Sequence, residues 1–363
     1  MTSKVPINQD RLINGDEKYI IILTEQEADN CWLLDQDGVK TCYISEADLY
    51  SSNGVVYMSS LRDKEFYYKL ITGKNTIFKQ EEVLFEQPQI AIPVHPKRIL
   101  DDADWLETAN FDNIEPYQQR YRRFFFKEFS LSNPSEIKKA TLYLYPESKC
   151  VLNLNDSWIN QEVIPNKLNV LDLTGYVQKG NNMLFAGFPF TIGKKLFAAR
   201  LIVEYYNYDR IELSTDSSWL TVDSYTNPSI MRAFPIPVPP VVAEKPLYAD
   251  SINYSEFKEW VIQVPVDALE KVNNIYMRIK YSGDRAELYN GYMLSDDDYN
   301  SHAVWNIGLN RQEHSVEGKS LNLVIYKQNQ GEKIFYDLPV DGTDQIAEIK
   351  NMVFESEKIE QIK

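Results

Sequence analysis

The sequence predicts an all-β protein: two tandem β-sandwich modules preceded by a smaller β-rich unit. Apolar and polar residues alternate through nearly every hydrophobic run, a period of two that suits half-buried strands and not helices. The aromatic content is dominated by 24 tyrosines, which with Val, Ile and Thr favour pleated surfaces. The second and last thirds of the chain also repeat one pattern. "IKKATLYLYPESKCVLNLNDSWI" leads through "LNVLDLTGYVQKGNNMLFAGF", and "VNNIYMRIKYSGDRAELYNGYML" leads through "AVWNIGLNRQEHSVEGKSLNLVIY". Each copy runs strand, tight turn, strand, hairpin, strand and a Gly-led final strand. Repetition on this scale means two similar modules rather than one large fold.

Residues 1–15 are polar and read as a loose terminus. A β-rich unit over 16–95 opens with the continuous apolar strand "KYIIILT". "NCWLLDQDGVKTCYIS" reads as a hairpin turning at Gln36-Asp37-Gly38, because Asp-Gly tolerates the positive φ of a tight turn. "GVVYMSS" and "EFYYKLI" continue the alternation, and the unit ends near "EQPQIAIPVHPKRI", where prolines interrupt regular pairing. Residues 96–116, with "LDDADWLETANFDN", read as a linker with short irregular or helical structure. The first sandwich occupies 117–228, where Leu142 and Leu144 share one strand face and Leu152 and Leu154 share another. Asn155-Asp156 turns the chain into the strand through Trp158. Residues 229–248, with "FPIPVPP", read as a stiff connector of polyproline type. The second sandwich spans 249–363: Ile275, Met277, Ile279 and Tyr281 point one way, and Tyr276, Arg278 and Lys280 the other. Asn290-Gly291 is its counterpart of the Asn155-Asp156 turn, and "AEIKNMVFESEKIEQIK" reads as a closing strand with a charged end.

A chain of 363 residues is long enough for two or three domains with separate cores. The formal charge of −15 repels phosphate backbones and anionic lipid, so neither nucleic acid nor membrane is an expected partner. No run approaches the roughly 20 apolar residues of a membrane span. The start lacks the apolar core of a signal peptide, and Met1 as native start would place the chain in the cytoplasm. Cys31, Cys42 and Cys150 show no metal spacing and read as buried free thiols, with a Cys31–Cys42 bridge as the alternative. His95, His302 and His314 form no ligand motif, and no metal or other cofactor is expected. Asp296-Asp297-Asp298 is the densest acidic run, but it lacks the spacing of a calcium loop and reads as a solvated loop. Glu25, Glu27 and Asp29, and Asp101, Asp102 and Asp104, read as helix- or turn-capping groups rather than an acid–base pair.

Sugars pack an apolar face on exposed rings while neighbouring polar groups bind their hydroxyls. Trp158 follows the first hairpin turn and Tyr292 is its counterpart after the second, so these two are the candidate carbohydrate-binding residues. Trp32, Trp105, Trp219 and Trp305 read as packing residues.

The second copy resembles the C-terminal region of family 35 glycoside hydrolases, the β-galactosidases. Gly283-Asp284, Asn290-Gly291, Tyr299-Asn300 and Trp305 through Leu309 carry the resemblance, with one residue fewer before Asn290 than the family pattern has. The first copy, from "RYRRFFFKEFSL" to "NLNDSWI", resembles the galactose-binding-like jelly rolls found beside many glycosidases. Together these cover roughly the last two-thirds of the chain. The family's catalytic unit is a barrel of about 250 residues, with its two catalytic carboxylates at strand ends. Nothing here shows its eightfold alternation of strand and helix, so no residue inherits a catalytic role. The resemblance implies a non-catalytic, carbohydrate-associated accessory protein that binds glycan weakly or docks beside a catalytic glycosidase domain, in the same parent chain or in trans. The alternative is that the chain is a fragment of, or itself, a glycoside hydrolase acting on β-galactosides.

Overall fold

The computed structural model describes residues 23–36, 39–71, 79–108, 113, 122–133, 135–224, 236–270, 272–301, 303–327 and 346–362. Most of "KYIIILT" and the turn at Asp37-Gly38 lie outside these residues. Regular structure is almost wholly antiparallel strand, arranged as tandem β-sandwiches.

Four sheets build the two sandwiches. The first sheet runs Ser157–Trp158, Val151–Leu154, Gly180–Pro189, Arg122–Leu131, Leu220–Ser224. The second runs Asn169–Asp172, Ile137–Pro146, Leu196–Tyr205, Trp105–Glu107, Val241–Ala243, with Arg210–Ser214 also paired to Leu196–Tyr205. The third runs Met293–Tyr299, Arg285–Asn290, Ser320–Tyr326, Phe257–Gln263, Val94–Lys97. The fourth runs Trp305–Gly308, Asn274–Ser282, Glu348–Ile362, Val55–Ser60, Asp48–Ser52. Counted along the chain from Arg122–Leu131 or from Phe257–Gln263, both copies have the same strand order. The fourth, third, sixth and first strands share one sheet, and the fifth, second and seventh share the other. The sequence repeat is a repeat of topology.

Period-two alternation stacks the sheets. In Ile137–Pro146, Leu142 and Leu144 point into the core of the first sandwich, where they meet Leu152, Leu154 and Leu184. Tyr143, one residue away, points outward. It joins Trp105, Ala198 and Ile202 against Phe257, Tyr289 and Val324 of the third sheet, forming an apolar seam between the sandwiches. Ile275, Met277, Ile279 and Tyr281 meet Leu288, Leu323 and Ile325 in the core of the second sandwich. A further four-stranded sheet, Cys31–Gln36, Val39–Ile44, Lys64–Ile71 and Lys79–Phe85, packs Tyr43, Tyr68 and Phe85 on Val56, Met58 and Ile362. The strand Glu348–Ile362 ties this unit in. It pairs with Asn274–Ser282 through Glu357 and then with Val55–Ser60 from Lys358 onward.

Several expectations change. Within 96–116, Trp105–Glu107 is a strand, paired on one side with Leu196–Tyr205 and on the other with Val241–Ala243. Trp105 and Leu106 are both buried, one in the seam and one in the first core, and this two-sided burial overrides the acidic, turn-like composition. Val241–Ala243 likewise makes part of the proline-rich connector an edge strand, where proline is tolerated. Among the described residues helix occurs not near 100–115 but as Glu25–Asp29, with single 3₁₀ turns at Leu247–Ser251 and Leu309–Arg311. Glu25–Asp29 starts with a capping box: Thr24 Oγ1 accepts from the Glu27 N–H at 3.2 Å and the Glu27 carboxylate accepts from the Thr24 N–H at 3.1 Å.

The two hairpins differ by one residue. Asn155 (φ 52°) and Asp156 (φ 66°) are the central pair of a two-residue turn of the I′ kind. In the second copy Asn290 is still in the strand, paired with Met293, and the turn is Gly291-Tyr292 with φ 65° at Gly291. That is the II′ pattern, which needs positive φ only at its first position. A bulge that leaves Ser295 unpaired between Leu288↔Asp296 and Tyr289↔Leu294 absorbs the shift.

Asp296-Asp297-Asp298 lies in the strand Met293–Tyr299 rather than in a loop. Asp297 faces solvent while Asp296 and Asp298 are half-buried, and Asp298 accepts a hydrogen bond from the Tyr281 hydroxyl at 2.8 Å. Consecutive side chains on a strand point to opposite faces, so the three carboxylates do not converge. Cys31, Cys42 and Cys150 are free thiols, and the Cys31 and Cys42 sulfurs lie 3.2 Å apart on adjacent strands.

Candidate functional site

The seam between the sandwiches concentrates the buried charge of the described residues. Arg200 stands in the middle of Leu196–Tyr205 with its side chain fully enclosed. Its Nη1 donates to Glu259 Oε2 at 2.6 Å and its Nη2 to Glu259 Oε1 at 3.1 Å, a two-pronged pairing across the seam. Arg200 also donates to Glu212. Arg210 Nη2 donates to Glu259 Oε1 at 2.5 Å, and its Nε lies 2.9 Å from Glu212 Oε1. Lys97 closes the group, 3.7 Å from Glu212 and paired with Asp102. Burial alone would raise both glutamates. Arg210 and Arg200 outweigh it, holding Glu212 at about 2 and Glu259 below the ordinary carboxylate range. Both are therefore anionic at neutral pH.

Arg210 separates two cavities. One, of about 850 Å³, is bordered by Asn133, Asp209, Tyr292, Glu313 and Asn322. Asn133 donates to Asp209 at 2.7 Å, which fixes that side of the rim. The Gly291-Tyr292 turn is held against the first sandwich by the Arg210 N–H, which donates to the Tyr292 carbonyl at 2.9 Å. Tyr292 is 57% exposed and lines the cavity, so its side chain is not consumed by packing. The second cavity, about 470 Å³, has an aromatic wall in which Tyr143 and Tyr254 approach to 5.0 Å, Tyr254 and Phe257 to 5.1 Å, and Phe257 and Tyr326 to 5.8 Å.

Of the two rings singled out in the sequence, Tyr292 lies at this seam. Trp158 does not: it sits on the edge strand Ser157–Trp158 of the first sheet, 41% exposed, opposite Asn153. Trp105, Trp219 and Trp305 are buried and Trp32 packs partly against the N-terminal core.

No family model and no curated protein matches the chain. Among solved structures it is similar to an α-L-rhamnosidase of Aspergillus terreus (13% identity, TM-score 0.36, 83% of this chain and 41% of that one). It is also similar to the α-L-rhamnosidase of Streptomyces avermitilis complexed with L-rhamnose (12%, 0.35, 73% and 28%). A lectin from Pleurotus ostreatus in complex with GalNAc matches at 13% identity and TM-score 0.29, over 74% of this chain and 84% of that one. The chain thus spans well under half the length of either rhamnosidase.

Sequence reasoning missed the buried ion pairs, although a signal was present. Arg200 interrupts the otherwise apolar "LFAARLIV", and an arginine inside a continuous apolar strand needs a buried partner. It also missed the cavities, which arise only when two distant segments are stacked face to face.

Proposed function

We propose that this chain is a non-catalytic, carbohydrate-binding accessory protein and that a saccharide binds beside Tyr292. The observation that carries the reading is the exposed Tyr292 at the rim of an 850 Å³ cavity that is also lined by the hydrogen-bonding side chains of Asn133, Asp209, Glu313 and Asn322, beside apolar Ile211, Met293 and Leu294. An exposed ring with a few convergent polar groups is what sugar recognition requires. Two sequence features support a carbohydrate-associated role: the resemblance of the second copy to family 35 glycoside hydrolases and of the first to galactose-binding-like jelly rolls. On this reading the chain docks beside a catalytic barrel, in the same parent chain or in trans. Trp158 is a second, independent platform on the first sandwich.

The charge state of the seam supports binding over hydrolysis. Glycoside hydrolysis needs one protonated carboxylic acid and a second carboxylate flanking the bond. Glu212 and Glu259 are held ionised by arginines, so neither supplies the acid. Titration calorimetry with galactosides and other neutral glycosides tests the proposal. Tyr292→Ala should weaken binding about tenfold through lost stacking, and Trp158→Ala should weaken any binding at the first sandwich by a similar factor. Affinity unchanged in both variants would sink the site assignment. Turnover of a chromogenic galactoside that survives repurification and vanishes on changing a single Asp or Glu would favour the hydrolase reading.

A further inference from the structure

We propose that the 470 Å³ cavity on the other side of Arg210 is a separate site for a saccharide bearing one carboxylate, a uronic-acid type of sugar. The inference goes beyond the Tyr292 reading, because it concerns different residues and a different ligand chemistry.

The first observation is an unanswered hydroxyl. Thr141 is 5% exposed, lines this cavity, and its Oγ1 has no hydrogen-bond partner. Burying a hydroxyl without a partner is costly, so its retention at a cavity wall fits a ligand group that completes it. A ring hydroxyl, at once donor and acceptor, meets that need whichever way the threonine proton points.

The second observation is a β-bulge. In Ile137–Pro146 the register to Leu196–Tyr205 slips between Ile137↔Tyr205 and Lys139↔Glu204. Regular alternation would send Lys138 and Lys139 to opposite faces, but a bulge re-aims a side chain, and both lysines line the cavity. Neither has an ion-pair contact among the described residues. Lys138 lies over the Tyr208 ring at 5.6 Å, and Lys139 acts on Asp172 through its field.

The charges on the wall set the ligand's sign. Arg210 is committed to Glu259 and Glu212, Arg285 lies 3.5 Å from Glu287 and over the Tyr326 ring, and Lys327 is paired with Glu256. Asp284 has a partner of its own. Of the cavity's cations, Lys138 and Lys139 are the two without an ion-pair contact among the described residues, and Glu204 also has none there. A carboxylate on the occupant gives these two lysines an ion-pair partner. The occupant's hydroxyls fall to Thr141 and Glu204, and its apolar face to Tyr299, which is 51% exposed at the rim.

The test measures binding of methyl glucuronide, the matching neutral methyl glucoside and acetate to the full chain. The expected result is a uronide affinity at least about tenfold above the glucoside, weakened by added salt. The double change Lys138→Ala with Lys139→Ala should remove that preference. Thr141→Val should cut uronide affinity while leaving the unliganded protein as stable or more so, because the hydroxyl it deletes has no bond to lose. Equal binding of uronide and glucoside, or a preference that survives loss of both lysines, would overturn the proposal. Acetate binding as tightly as the uronide would overturn the saccharide assignment. Uronide binding lost in Tyr292→Ala would place the ligand in the other cavity. Neutral-sugar binding insensitive to Tyr292→Ala defeats the Tyr292 reading and leaves this one standing.

Discussion

Two glycines of the second sandwich separate two ways in which a single residue shapes this fold. Gly291 adopts φ 65° with open space where a Cβ would stand. Gly291→Val should therefore cost only the backbone term for a left-handed conformation, about 1–2 kcal/mol. Gly283 has φ 141°, and a Cβ there would sit 2.6 Å from the Tyr326 carbonyl oxygen. Backbone must move to accommodate it, so Gly283→Ala should cost more than Gly291→Val despite being the smaller change. Urea-unfolding midpoints of the two variants check the order, and the reverse order would contradict the close approach. At this scale the sequence was legible where a residue type names its own need. Asn155-Asp156 announces a tight turn, and Leu142 and Leu144 announce a face. Lys138 and Lys139 were not legible, because period two assigns neighbours to opposite faces and only the bulge reverses that. Thr141 was not legible either, since an unpaired hydroxyl is a property of its surroundings.

The long repeated strands, such as Arg122–Leu131, Ile137–Pro146 and Asn274–Ser282, could be read from alternation because each is long enough to show its period. The strands that complete the sheets could not. Val94–Lys97, Trp105–Glu107 and Val241–Ala243 are three or four residues long, carry prolines or acids nearby, and pair with partners far away in the sequence. Their burial is nonetheless substantial: Leu106 is fully enclosed in the first core and Trp105 is 1% exposed in the seam. A fragment cut at the boundaries that alternation suggests, residues 117–228, lacks both. It should melt well below a fragment spanning 98–246, since burying one large apolar side chain contributes about 1.5–3 kcal/mol. Differential scanning calorimetry of the two pieces is the check. Equal melting temperatures would mean that the Trp105–Glu107 strand decorates the sandwich without stabilising it.

Over the whole molecule, the two sandwiches meet around a charge cluster buried in an otherwise apolar seam. Such a cluster costs desolvation to form, and it is weak evidence of stability in itself. Removing one partner is different, because it strands the others. Glu259→Gln leaves Arg200 and Arg210 facing a neutral amide and should cost about 3–5 kcal/mol. The same logic fixes the pH response. Glu212 has a folded value near 2 against 4.5 for the free group, and Glu259 is also lowered. Their contribution is fully present above 4.5 and is lost progressively as the pH falls toward about 2. Asp296 and Asp298 work the other way: burial raises both above 3.8, so their protonation favours the folded form as the medium is acidified. They are half-buried and outside the seam, so the glutamates should dominate. Stability measured by urea unfolding should accordingly drop between pH 4.5 and about 2, and the drop should be shallower in Glu212→Gln, which has no carboxylate left to protonate there. A wild-type profile flat across that interval, or one as steep in Glu212→Gln, would show that the arginine–glutamate cluster does not hold the two sandwiches together.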